Sequence, residues 1–208
     1  MSRRQDQENF LAAATITVPQ SDMPLSANMR GKVGMWCLII AESAIFSIFV
    51  VAYLYYAGKS PSGPTPAQVL DVPYFASICL FSSSLTILLA EKALHRGNIK
   101  QFGLFWFLTL ALGVIFLLAT GIEWYRLIYH DGLTISTNLF GTTFYSLVGL
   151  HAFHVTVGAI GLTIILLCTL FGAVKQEHSA RISVFAMYWH FVDAIWVVVL
   201  SVVYFITR

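Results

Sequence analysis

Charge is what this chain has least of. Only 11% of its 208 residues are Asp, Glu, Lys or Arg, against about 25% in soluble domains. That deficit excludes a water-soluble globular domain. The net charge of +2 is ordinary, and nothing in it points to nucleic acid. Cysteine is sparse as well. Cys37, Cys79 and Cys168 each lie in apolar sequence without CxxC spacing. They exclude a disulfide framework and a thiolate metal site, and read as small buried hydrophobes. Proline is confined to connections: Pro19 and Pro24 in the N-terminal arm, the stretch GKSPSGPTP at 58–66, and Pro73. Internal repeats and low-complexity tracts are missing, so one compact domain after the arm accounts for the chain.

What remains is apolar. Hydrophobic residues make up 58% of the sequence, and the mean hydropathy is +0.76. Five apolar runs, near residues 33–57, 72–91, 102–127, 141–172 and 183–206, are each long enough to cross a bilayer. The third and fourth exceed that need and imply tilt or ends protruding into the headgroups. A backbone in lipid must satisfy its own hydrogen bonds, so the runs are read as helices. Their hydrophobicity is continuous rather than alternating, which excludes a β-barrel. The expected fold is all-α: an integral membrane bundle of five transmembrane helices over residues 31–208, preceded by a polar arm, residues 1–30.

The loops orient it. Arg3, Arg4, Arg30, Lys32, Lys92, Arg96, Lys100, Lys175 and Arg181 fall on one side, and Lys59, Arg126 and Arg208 on the other. The positive-inside rule then places the N-terminus in the cytoplasm and the C-terminus outside. No cleaved signal peptide is expected, because Phe10–Val18 follows Asp6 and Glu8 rather than a basic region. Asp71 and Pro73 read as an oxygen cap and a first-turn proline for the second helix. Glu123, beside Trp124 and Tyr125, reads as interfacial. Packing should rest on small residues: Gly149, Gly158, Ala159 and Gly161 in helix four, and Ser82, Ser83 and Ser84 in helix two. Those serines are expected to bond back to their own helix.

Five ionisable residues interrupt the apolar runs: Glu42, His151, His154, His190 and Asp193. A carboxylate at the centre of a membrane helix costs on the order of 2.5–3.5 kcal/mol even on mild scales. By helical rise all five come near the midplane. His151 and His154 share a face at i, i+3, and so do His190 and Asp193. Helices one, four and five could bring these faces together. Three readings stay open: interhelical hydrogen bonds, a metal or haem site, and a proton or ion path.

Four motifs taken in order narrow the choice: GMWCLIIAESAIFSIFVVAYLYY at 34–56, GIEWYRL at 121–127, GLHAFHVTVG at 149–158 and YWHFVDAIWVVVLSVVY at 188–204. Together they resemble subunit III of the haem–copper terminal oxidases, in the shorter bacterial form without the first two helices of the mitochondrial one. The resemblance implies a non-catalytic chain in a bacterial cytoplasmic (inner) membrane. It would carry no haem and no copper, since those reside in partner subunits I and II. It would pack on subunit I, with a small subunit IV as a possible neighbour. It would hold phospholipid, offer a lipid-lined route for oxygen, and support proton uptake and lasting turnover by the complex. Glu42 matches the family's intramembrane carboxylate, and a hydrogen bond to His154 is expected of it. Trp124, Tyr125, Arg126 and Trp189 are candidate lipid contacts. Cytochrome c, or alternatively quinol, would deliver electrons to the partner subunits. A nitric oxide reductase accessory protein is a related alternative. From a different class, a stand-alone membrane metalloenzyme would use the same His and Asp groups.

Overall fold

Hydrocarbon leaves a backbone no partner but itself, and helices take up most of what the computed structural model describes, residues 27–60 and 63–207. They are α1 (Ala27–Tyr56), α2 (Tyr74–His95), α3 (Ile99–Tyr129), α4 (Leu139–Leu170) and α5 (Ser179–Leu200). The last continues into a wider, π-helical turn, Ser201–Ile206. A single turn, Pro66–Val69, interrupts the α1–α2 connection, and a 3-10 turn, Gln176–His178, leads into α5. No strand occurs among the described residues. Among the described residues, five helices are long and apolar enough to cross a membrane.

Local chemistry sets the ends. The side chains of Asn98 and Asn138 accept from the Gln101 and Gly141 backbone N–H groups, at 3.1 and 2.8 Å, and so start α3 and α4. Gly97 and Gly172, with φ of 74° and 72°, close α2 and α4 in the left-handed conformation that a side chain resists. The N–H groups of Asn98 and Ala173 then reach back to the carbonyls of Ala93 and Cys168 at 3.0 and 2.9 Å.

Two sequence expectations about ends are corrected. Residues 27–30, assigned to the arm, already belong to α1; residues 1–26 of that arm lie outside the described residues. Asp71 does not cap α2, whose N-cap position is Pro73 with no side-chain cap. Asp71 instead takes Arg126 Nη1 at 2.6 Å, since a guanidinium offers it a stronger partner than a backbone N–H.

The helices pack as a ring in the order α1, α4, α3, α2, α5, with α5 returning to α1 and also meeting α4. The centre is aromatic. Trp106, Trp189, Trp196, Phe102, Phe116 and Phe144 are all fully buried. Trp189 of α5 lies between two glycines. A Cβ at Gly113 of α3 would stand 2.8 Å from its ring, and one at Gly158 of α4 2.7 Å. Close approach of this kind, rather than hydrophobicity, holds helices together in lipid. Each central indole N–H finds an acceptor on another helix. Trp106 donates to the Leu162 carbonyl at 3.0 Å, Trp189 to Ser83 Oγ at 2.8 Å, and Trp196 to Ser77 Oγ at 3.0 Å.

Two further expectations change. Cys79 is buried, but Cys37 and Cys168 face outward, because an outward face in lipid is as apolar as the interior. Ser83 bonds back to the Leu80 carbonyl at 2.6 Å as expected. Ser84 does not: it reaches across to α5.

Candidate functional site

The five intramembrane groups do not form one cluster. They divide among three seams of the ring, and only two of the expected neighbours meet directly. That correction has a simple cause: His151 and His154, three residues apart, are offset by about 60° around the helix, enough at a crowded seam to look toward different neighbours.

The first seam is α1–α4. His154 Nδ1 lies 2.8 Å from the Leu150 carbonyl, which can only accept, so Nδ1 carries a hydrogen. Nε2 faces Glu42 Oε2 at 3.2 Å. One further proton must lie between these two atoms, on the carboxyl or on the imidazole. Either way the pair is neutral as a unit, which makes it tolerable in hydrocarbon. The side chains are 9% and 23% exposed for His154 and Glu42, so the pair is set at the rim of the bundle. Phe46 packs against the imidazole, with ring centres 5.0 Å apart. Tyr188 of α5 donates to the His154 carbonyl at 3.0 Å and ties the seam to the core.

The second seam is α3–α4–α5, where His151 is completely buried. Its ring stacks on Trp196 at 4.9 Å and meets the edge of Phe116 at 5.7 Å. Neither ring nitrogen has a hydrogen-bond partner among the described residues. It behaves as an aromatic core residue.

At the third seam, α2–α5, Ser84 hydrogen-bonds Asp193 and lies 3.1 Å from His190 Nδ1. His190 and Asp193, adjacent on one helix face, are joined only through that hydroxyl. Sequence reasoning missed Ser84, because nothing distinguishes it from Ser82 and Ser83 in a run of three. No three His, Cys, Asp or Glu side chains converge as a metal-binding group among the described residues.

The candidate lipid contacts separate too. Arg126 sits at the end of α3 and holds Asp71, the Val69 carbonyl at 2.9 Å, and Asp131 at 3.7 Å. Beside it Asp71, Tyr74, Phe75, Ile122 and Glu123 line an open hollow of about 360 Å³. Glu123 is half-buried, and Tyr204 donates to it at 3.3 Å. Tyr125 is exposed and stacks near Tyr129 at 4.6 Å. Trp124 is half-buried against Tyr145 at 5.4 Å. Trp189 is corrected: wholly buried between Gly113 and Gly158, it offers no surface to a lipid.

A ring of five membrane-length helices, stitched at its seams by side-chain hydrogen bonds, defines a multi-pass α-helical membrane protein. The family model for cytochrome c oxidase subunit III matches residues 21–208. The chain is 32% identical over 186 residues to cytochrome c oxidase subunit 3 of Alkalihalophilus pseudofirmus, covering 87% of this chain and 90% of that one. It is 35% identical over 179 residues to the Synechocystis subunit, covering 82% and 73%. Against the subunit of Hippopotamus amphibius it is 33% identical over 176 residues, covering 79% of this chain but 65% of the longer relative. The chain belongs to the cytochrome c oxidase subunit III family, and so to a haem–copper oxidase complex.

Proposed function

We propose that this chain is the cofactor-free subunit III of a bacterial cytochrome c oxidase, a structural and regulatory partner of the subunits that hold haem and copper. It packs on subunit I beside subunit II, within the cytoplasmic membrane, with its N-terminus inside. The name carried by its relatives favours cytochrome c over quinol as electron donor to the complex. Phospholipid headgroups bind at the α2–α3 end, where the Arg126 guanidinium borders a hollow lined by Tyr74 and Phe75.

The observation that carries the reading is the Glu42–His154 pair. It fastens the least buried helix, α1, to the rest, with a proton shared inside the bilayer. That placement supports an accessory role in proton uptake and sustained turnover. The test is the oxidase complex purified with Glu42→Gln. Its haem spectrum should be unchanged, while the number of turnovers before inactivation, or the protons taken up per oxygen, should fall. Loss of the haem spectrum would make Glu42 an assembly residue instead. A copper-free subunit II in that complex would assign the chain to a quinol oxidase.

A further inference from the structure

The α2–α5 seam holds a polar group that the proposed function leaves unused. Ser84 Oγ touches both His190 Nδ1, at 3.1 Å, and Asp193 Oδ2. Asp193 is 5% exposed. Its Oδ1 has no hydrogen-bond partner among the described residues, and neither has the buried Nε2 of His190. A hydroxyl owns a single hydrogen. Ser84 can therefore donate to one neighbour only, and the other must bring a hydrogen of its own.

Two arrangements fit the same heavy atoms. In the first, Ser84 donates to an ionised Asp193, the Nδ1–H of His190 donates to Ser84, and Nε2 is bare. In the second, Asp193 carries a hydrogen on Oδ2 and donates it to Ser84. The serine hydrogen then turns to Nδ1, and Nε2 bears the N–H. The second state contains one proton more. It arises from the first when a water-derived proton joins Nε2, the Nδ1 hydrogen passes to Ser84, and the serine hydrogen passes to Asp193. The trio goes from one negative charge to none. No electron moves, and no heavy atom has to shift.

We propose that Ser84, His190 and Asp193 form a one-proton store, loaded at His190 Nε2 and ending at Asp193. Both orphaned atoms are thereby accounted for: Nε2 is the port, and Oδ1 is the spare oxygen of the carboxyl that receives the charge. Glu91, two turns beyond Ser84 on α2, is in electrostatic reach of His190. The intramembrane Glu and His side chains of α1 and α4, which also pack against α5, are engaged elsewhere. Glu42 is held by His154, and His151 lies between Trp196 and Phe116. The store is a local site, independent of the electron donor and of the role given to Glu42.

Infrared difference spectra of the purified oxidase complex across a pH series, in H2O and D2O, test it. Loading should produce a protonated-carboxyl C=O band together with ring modes of an imidazole exchanging Nδ1–H for Nε2–H. No imidazolium band should appear with them. Asp193→Asn should abolish the coupled set. Ser84→Ala should break the coupling, whereas Ser84→Thr, which keeps the hydroxyl, should retain it. A carboxyl band indifferent to Ser84→Ala would overturn the proposal. So would an imidazolium signal accompanying loading, or the absence of any band that depends on Asp193. If Ser84→Ala does not assemble, the contrast between Asp193→Asn and Ser84→Thr still decides.

Discussion

Two carboxyl–imidazole pairs lie at similar depth in this bundle and are built differently. Glu42 and His154 meet directly at the rim, one proton between them and the far imidazole nitrogen committed to Leu150. Asp193 and His190 sit on one helix, apart, with a serine from another helix between them and a free atom at each end. The direct pair confines its proton between two facing atoms, with the other imidazole hydrogen held by Leu150, and works as a fastener. The bridged pair keeps a choice of hydrogen positions. Local sequence separation does not decide which is which: the residues 112 apart touch, and those three apart do not.

The contrast can be broken from the core outward. Trp189→Ala empties the slot between Gly113 and Gly158 and removes the donor to Ser83. A loss of about 3–5 kcal/mol is expected from such a truncation, read as a lower midpoint in thermal unfolding of the purified complex. Maleimide labelling of buried Cys79 should rise sharply, while outward-facing Cys37 stays as reactive as before. Glu42→Ala should cost less, roughly 1–3 kcal/mol, by leaving the buried His154 nitrogen unpaired. Glu42→Gln should restore most of that, because its amide can donate to the bare nitrogen. Equal midpoints for the Ala and Gln variants would show that the pair does not fasten α1.

Smaller effects sharpen the difference. Ser84→Ala removes interhelical bonds worth about 0.6 kcal/mol each in membranes, so its midpoint should shift far less than that of Trp189→Ala. Any change in hydrogen exchange should be confined to α2 and α5. At the exposed end of α3, Asp71→Asn should change stability by less than about 1 kcal/mol and only at low salt. A larger, salt-independent loss would mean that the Arg126 contact is more than a surface ion pair.

Much of the architecture was legible in the sequence, for a physical reason. Crossing lipid demands a long apolar helix, and the five runs announce that in hydropathy alone. Gly158 and the intramembrane ionisable residues were equally conspicuous, since hydrocarbon penalises both poor packing and stray charge. Which face of a helix turns inward was not legible. Lipid and protein interior are alike to a side chain, so Cys37 and Cys168 read like Cys79. Trp189 read as a candidate lipid contact, although its slot is made by glycines on two other helices. Asp71 looked like a cap because local rules see the next turn of helix and not Arg126, 55 residues away. Ser84 was hidden among identical neighbours. Only the rotation of α2 against α5 singles it out.

The tryptophan gripped by two glycines also fixes an order of events during synthesis. Chains emerge N-terminus first, so α1 to α4 enter the membrane before the residue that locks them exists. Until α5 arrives, Ser77 and Ser83 have no indole to accept from, and the gap flanked by Gly113 and Gly158 has nothing to fill it. The four earlier helices are thus a half-finished jaw that waits for its last tooth.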